Sequence, residues 1–327
     1  MANKTNTEQP NITIIIVNYK TADMVCQVIQ SVKDYAPADN VIAKIIVVDN
    51  GSQDGSLDIF AEKHPDIETI DAGGNIGFSK GNNLALRTLN TDYAMLLNSD
   101  AFLEKGTLKR LIEVMDSDPS IGVVGPRILN TDRTDQDYPC AFPSVLEMIQ
   151  RAIKGAQFPA QNKNPQEPIN MDRIHGCCLM ARREVFDEVG LLDEQFFMYD
   201  EDIDWCLRTQ KAGWLLKLVP DSYVVHLGGQ TSGRAPSGRR DEKTVLPFNP
   251  RMSYELRKSR YILYRKHRSG AELILLKIFT DILLLAGLTL AVLRSSKGDA
   301  WSDMAKKKKS AYFKIMAINP FSLAVKK

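Results

Sequence analysis

Apolar residues in the first 125 positions follow two alternating rhythms. Unbroken runs stand at Ile12-Thr13-Ile14-Ile15-Ile16-Val17, Ile45-Ile46-Val47-Val48, Tyr93-Ala94-Met95-Leu96-Leu97 and Ile121 to Val124, with a shorter one at Ile67 to Ile70. Short, β-branched and apolar at nearly every position, they read as strands buried on both faces. Between them the apolar residues fall at helical spacing: Met24, Val25, Val28, Ile29 and Val32, then Ser56 to Lys63, Ser79 to Leu89, and Leu108, Leu111, Ile112 and Met115. Alternation of this kind predicts an α/β fold with a mainly parallel central sheet and right-handed crossovers.

The strands stop abruptly on polar residues. The first ends at Asn18-Tyr19-Lys20, the second at Asp49-Asn50-Gly51-Ser52 and the fourth at Asn98-Ser99-Asp100; the third leads into the turn Gly73-Gly74-Asn75-Ile76-Gly77-Phe78. Ligands of open parallel sheets lie beyond the carboxyl ends of the strands. No G-x-G-x-x-G turn follows the first strand and no Walker loop is present, so phosphate charge calls for a cation. Asp100 is placed to hold a hard divalent metal, Mg or Mn, between two phosphates. The competing reading is that Asp100 caps the next helix, which begins near Lys105 to Leu108. Ser52 or Asp54 is expected to cap the helix from Ser56.

Asn130 to Met171 is rich in Pro, Gln, Asn and Asp, and reads equally as a binding lid or a surface insertion, with a helix near Val145 to Ile153. His175 to Met180 is strand-like and Glu184 to Val189 helical. A second chemical centre follows at Tyr199-Asp200-Glu201-Asp202-Ile203-Asp204-Trp205-Cys206. Ile203, Cys206 and Leu207 define a helix whose first turn carries the acids. The helix dipole favours one or two of them by about 0.3–1 kcal/mol each and does not account for three. One can serve as general base towards a hydroxyl. Trp214 to Val219, stopped by Pro220, and Tyr223 to His226 are expected as two strands. His226 opens into Gly228-Gly229-Gln230-Thr231-Ser232-Gly233, a loop suited to closing over a diphosphate with the imidazole as metal ligand.

Composition adds boundaries. The net charge of +2 over 327 residues excludes a general nucleic-acid bias, but Arg251 to Arg268 and Lys306 to Lys309 make the C-terminal third basic. Five cysteines without C-x-x-C spacing argue against a disulfide framework or structural zinc and fit a reducing compartment. Residues 1–10 read as a disordered tail.

With these pieces assembled, the sequence resembles glycosyltransferase family 2, and within it the rhamnosyltransferase-like branch. The matching segments are Ile16-Val17-Asn18-Tyr19, Val47 to Ser52, Gly74 to Asn83, Leu96 to Asp100, Met198 to Asp204 and His226 to Gly229, in order over about residues 11 to 270. The resemblance implies a GT-A (Rossmann-like) fold and inverting transfer from a nucleoside-diphosphate sugar, dTDP-rhamnose in this branch. It implies that Asn18 and Asp49 read the base and ribose, and that Asn75, Gly77 and Asn82 lie in the turn holding the nucleoside side of the donor. Asn98-Ser99-Asp100 stands where the family has D-x-D; Asn98 replaces its first acid and leaves Asp100 as the main metal carboxylate, with His226 a further contact. Asp202 matches the catalytic base, and Asp204 is given a structural role.

Residues 11–250 therefore read as the catalytic domain, with a nucleotide-sugar-binding half (11–125) and an acceptor half (126–250). Residues 251–327 form a basic and apolar helical region. Arg251 to Gly270 is expected to be an amphipathic helix on the catalytic domain, its basic face towards lipid or diphosphate. Ala271 to Leu293 is long enough to span a bilayer, but Glu272, Lys277 and Asp281 interrupt its first half. An interfacial helix is expected first, an oligomerisation helix second and a true span third. The expected setting is peripheral, at the cytoplasmic face of the cell membrane, acting on a lipid-linked or cell-surface glycan precursor. Two other readings stand beside this one: a nucleotidyltransferase, and a non-catalytic scaffold of a glycan assembly complex.

Overall fold

The computed structural model describes residues 11–136, 142, 144–154, 167–228 and 248–324. The tail 1–10 and the loop 229–247, with its expected diphosphate contacts, lie outside them. Strands β1 (Asn11–Asn18), β2 (Ile42–Asp49), β3 (Glu68–Asp71) and β4 (Tyr93–Asn98) alternate with helices α1 (Ala22–Tyr35), α2 (Ser56–Lys63) and α3 (Phe78–Leu86). Then come β5 (Ala101–Leu103), α4 (Thr107–Ser117), β6 (Ile121–Leu129), α5 (Val145–Lys154), β7 (Ile169–Asn170), β8 (Cys178–Arg182), α6 (Arg183–Val189), α7 (Glu201–Lys211) and β9 (Leu215–His226). Three helices close the chain: α8 (Pro250–His267), α9 (Gly270–Arg294) and α10 (Asp299–Met316).

The strands form one sheet in the order β3-β2-β1-β4-β8-β6-β9-β5, with β7 on β9. The pairings among β1 to β4 are parallel, as is β6 with β9, while β8, β5 and β7 pair antiparallel to their neighbours. Alternate residues of the buried strands face opposite helix layers. Ile12, Ile14 and Ile16 pack on α1 and α4, whereas Ile15, Ile46 and Val48 pack with α3, α6 and α7. Because each strand is covered on both sides, its sequence is a run and not an alternation.

Two features depart from the sequence reading. The segments before and after Pro220 form one strand, β9. Its register against β6 jumps from Val219 opposite Pro126 to Tyr223 opposite Arg127, so the extra residues leave the ladder as a bulge around the proline, which has no N–H to donate. The three-residue strand β5 was not expected. Its pairing of Ala101 with His226 sets Asp100 beside that histidine.

Helix α8 packs on the acceptor half: Ile262 and Leu263 join Phe196 and Ile203 in a buried cluster. Helix α9 is continuous over 25 residues, and it is long and apolar enough to cross a membrane by length and composition. Lys277 pairs with Asp281 at 2.5 Å and donates to the Met316 carbonyl at 2.9 Å, so these charges are matched against α10. On the outer side Ile274, Ile278, Ile282, Leu285, Leu290 and Leu293 are 50–67% exposed.

Candidate active site

At the carboxyl ends of β1 and β2, Asn18 lies in register with Asp49. The Asn18 Nδ2 donates to Asp49 Oδ1 at 2.7 Å and to Ser52 Oγ at 3.0 Å, and its Oδ1 accepts from Thr21 N and Oγ1 at 3.2 and 3.0 Å. All four hydrogen-bonding positions of the amide are taken. In this arrangement the Asn18 amide braces Asp49. Ser52 does not cap α2. Its N–H and hydroxyl donate to Asp49 at 3.0 and 2.6 Å, and its Oγ accepts from Lys20 N at 2.9 Å. Asp49 keeps spare acceptor capacity on Oδ2.

The glycine turn closes over this corner. Ile76 N donates to Asn50 Oδ1 at 2.9 Å, and Asn50 Nδ2 to Asn75 Oδ1 at 3.3 Å. Gly77 has φ +93°, and a Cβ there would fall 2.4 Å from the Phe197 carbonyl, which also accepts from Phe78 N at 2.7 Å. The turn is thus tied to the segment entering α7. Asn82 donates to Phe78 O at 2.9 Å and secures the first turn of α3. Its neighbour Asn83 exchanges two bonds with Leu192, at 2.8 and 3.1 Å, and clamps the two halves together.

Asp100 does not cap α4. That helix N-terminus is served by Asp39, which accepts from Gly106 N at 2.9 Å and Lys109 N at 3.2 Å. Asp100 and His226 are both buried, with Oδ1 and Nε2 3.2 Å apart. The Gln136 amide is oriented by donating from Nε2 to Asn130 Oδ1 at 3.1 Å and His226 O at 3.2 Å. Its Oε1 then lies 2.6 Å from His226 Nδ1, which donates to it, and Nε2 faces the Asp100 carboxylate. The carboxylate and the imidazole Nε2 thus converge on one point. The pair fits a divalent metal, with Gln136 fixing the tautomer as outer-shell partners do. No cluster of three or more His, Cys, Asp or Glu able to hold a metal occurs among the described residues. Two protein ligands leave room for phosphate oxygens and water.

The acids around the start of α7 are separated by their partners. Asp202 Oδ2 accepts from Arg173 Nη2 at 2.6 Å and Gly176 N at 2.9 Å. Burial pushes its carboxyl up, but the Arg173 charge outweighs that, and the group stays below the ordinary carboxylate range. Glu201 moves the other way. Burial and the adjacent Asp202 charge push it well above the usual range, and its Oε2 is buried without a hydrogen-bond partner. Asp200, at φ +63°, takes a two-point contact from Arg260 at 2.6 and 2.8 Å. Asp204 meets Arg208, Lys266 and His267 at 3.0, 2.7 and 2.8 Å. Despite burial these partners lower it to about 2.

The segment 173–177 joins the two centres. Gly176 holds Asp202, Cys177 O accepts from Asn98 N at 2.9 Å, and the His175 ring lies 6.2 Å from that of His226. His175 Nδ1 accepts from Cys177 N at 3.0 Å, and burial followed by the Arg173 charge lowers its pKa to about 3. It is a neutral ring with its proton on Nε2. Sequence reasoning missed Gln136, Arg173 and His175 because each lies in irregular chain without periodicity. It also expected the basic face of α8 to meet lipid or diphosphate, whereas Arg260, Lys266 and His267 are spent on acids of the catalytic domain.

Comparison with known proteins bears on the family and the fold. The N-acetylglucosaminyl-diphospho-decaprenol L-rhamnosyltransferase of Mycobacterium tuberculosis is 29% identical over 214 residues, 59% of this chain and 69% of that protein. The low-salt glycan biosynthesis hexosyltransferase Agl10 of Haloferax volcanii is 32% identical over 205 residues, 62% of each chain. The crystal structure of GalNAc-T7 with UDP, GalNAc and Mn2+ superposes with a TM-score of 0.59 at 15% identity, covering 94% of this chain and 55% of that one, and marks the fold as GT-A. The model of glycosyl transferase family 2 matches residues 13–190, and the chain is a member of that family and a glycosyltransferase of its rhamnosyltransferase-like branch.

Proposed function

We propose that this enzyme transfers a sugar, rhamnose in the favoured reading, from a nucleoside-diphosphate donor such as dTDP-rhamnose to a lipid-linked or cell-surface glycan acceptor, with inversion. The observation that carries the reading is the 173–177 segment, which links the Asp202 carboxylate to the Asp100–His226 pair along one crest of the sheet. An inverting displacement needs a base on one side of the sugar and charge neutralisation of the leaving diphosphate on the other.

Asp202 is the proposed base. The acceptor oxygen bonds to the anomeric carbon as its proton passes to Asp202. The bond from that carbon to the phosphate oxygen breaks, and its electron pair leaves with the nucleoside diphosphate. Arg173 keeps Asp202 ionised and oriented. Asp100 and His226 would hold Mg or Mn, which supplies neutralisation of the diphosphate when bound. Asp49, the turn containing Asn75 and Gly77, and Asn98 at the end of β4 line the proposed donor side, with Asn18 and Asn82 holding that wall in shape.

The relatives' names support the sugar and acceptor classes: L-rhamnose and an N-acetylglucosaminyl-diphospho-decaprenol in one, low-salt glycan biosynthesis in the other. The exposed apolar side of α9 supports contact with a membrane, proposed here as peripheral and at the cytoplasmic leaflet. Calorimetry of nucleotide-sugars with and without Mn2+ tests the reading, on protein in mild detergent. One donor is expected to bind only with metal, Asp100→Ala to abolish that binding, and Asp202→Asn to keep binding while losing turnover. Failure of every nucleotide-sugar to bind overturns the donor assignment; full turnover by Asp202→Asn overturns the base.

A further inference from the structure

The turn that delivers Asp202 is held in a strained conformation. Tyr199 and Asp200 stand at φ +71° and +63°, both in the left-handed region. A bulky aromatic residue rarely goes there, and two such residues in succession persist only where the surrounding contacts hold them. Asp200 is also the N-cap residue of α7, yet its side chain makes no capping bond. An aspartate at that position ordinarily has extended backbone and accepts from the N–H groups of the first helical turn. Asp200 does neither.

What holds the turn is α8. Arg260 donates from Nε and Nη2 to the two Asp200 oxygens at 2.6 and 2.8 Å, and its Nη1 lies 3.8 Å from Met148 Sδ. The Asp200 side chain is 4% exposed and that of Arg260 21%, so little water competes for the contact. The same helix grips the chain on both sides of the turn. Arg251 stands 4.7 Å over the Phe197 ring, and Ser259 Oγ donates to Met198 O at 2.8 Å. Lys266 reaches Asp193 and Asp204 at 2.5 and 2.7 Å, and His267 reaches Asp204 at 2.8 Å. Asp202 thus lies between two residues, Asp200 and Asp204, that α8 clamps, while Arg173 and Gly176 hold Asp202 itself. The clamp comes from a helix that starts at Pro250, beyond the residues 13–190 that match the family model.

We propose that Arg260 is a positioning residue for the transfer. It withholds the Asp200 carboxylate from the α7 cap and keeps residues 199 and 200 left-handed. It thereby fixes the first turn of α7 where Asp202 meets the acceptor hydroxyl. Without Arg260 the Asp200 side chain is released to cap α7, its backbone relaxes to extended, and the base is carried out of line. The inference rests on the reading of Asp202 as base, and Arg260 acts on that base through Asp200.

Kinetics, urea unfolding and crystallography of full-length variants test this. Arg260→Met is expected to lower kcat about 100-fold, the effect of displacing a reacting group by about 1 Å, with donor KM within about twofold. It also leaves the Asp200 charge buried and alone, so the urea midpoint should fall by about 1 M. Arg260→Met combined with Asp200→Asn removes both charges, and asparagine caps helices as well as aspartate does. The midpoint is then expected to return to the wild-type value. Turnover is expected to stay about 100-fold down, because the turn is still unbraced. Recovery of turnover together with stability overturns the proposal in favour of a purely structural ion pair. Arg260→Lys, which keeps one charged contact, is expected to regain about tenfold of the lost rate. A crystal structure of the double variant is expected to show residue 200 at negative φ with its side chain on the α7 N–H groups. Retention of a left-handed residue 200 overturns the proposal, and that readout needs no turnover. Full turnover by Asp202→Asn overturns the base reading whatever the Arg260 variants do. Loss of turnover there, with wild-type kcat in the double variant, overturns the brace alone.

Discussion

Replacing Arg173 by methionine removes the charge that keeps Asp202 ionised in a place with little water. The two side chains are 11% and 8% exposed and 2.6 Å apart. Breaking so deep a pair by deleting one partner costs about 3–5 kcal/mol, because the remaining charge is left uncompensated. The Gly176 N–H still donates to Asp202 Oδ2 at 2.9 Å, which favours the lower end, about 3 kcal/mol at neutral pH. The sign follows from the pKa. In the wild type the Asp202 carboxyl is depressed, so its contribution is present above the unfolded value of about 3.9 and is lost as pH falls through the lower folded value. Without Arg173, burial dominates and the folded pKa rises above the unfolded one. The carboxylate then opposes folding at neutral pH, and the penalty shrinks as acid neutralises it. Urea unfolding from about pH 4.5 to about pH 7.5 should show a wild-type-to-variant gap that is largest at the top and narrows downwards. The acid limb of kcat/KM should move towards neutral pH, and Arg173→Lys should recover much of both effects. A gap below about 1 kcal/mol at neutral pH, or one equally large in acid, would sink the assignment of Arg173 as the counter-charge.

Gln136→Leu frees the His226 tautomer and should weaken Mn2+ binding with nucleotide by about 10- to 100-fold in calorimetry; an unchanged affinity removes His226 from the ligand set. Gly77→Ala forces a methyl to 2.4 Å from the Phe197 carbonyl at φ +93°, so a loss of about 1–3 kcal/mol in unfolding and a raised donor KM are expected. Wild-type stability in that variant would mean the turn relaxes freely. Ile282→Glu with Leu285→Glu, both over 50% exposed, should reduce vesicle co-sedimentation more than about tenfold without altering donor binding. Equal sedimentation would shift α9 from a lipid contact to an oligomer contact.

The layered α/β architecture and the polar crest at the strand ends were legible in the chain because both are local. A strand covered on two faces must be apolar throughout, and its first polar residue marks where cover ends, as at Asn18, Asp49 and Asn98. The acids at 200–204 were visible for the same reason, as a charged first turn on an apolar helical face. The choice of Asp202 among them came only from the resemblance, since a carboxylate's character depends on the cation opposite it. Arg173 lies 29 residues from Asp202 and Arg260 lies 60 from Asp200, from elements with no pattern that names a partner. Likewise Asp100, taken with its own segment alone, looked more like a helix cap than a metal ligand until β5, too short for any periodicity, turned it towards His226 and left the cap to Asp39. The apparent interruption of α9 vanished in the same way, once Lys277 and Asp281 found each other and α10. Periodicity is written along the chain, whereas ion pairing, tautomer and burial are settled across space, by neighbours the chain supplies only after it has folded.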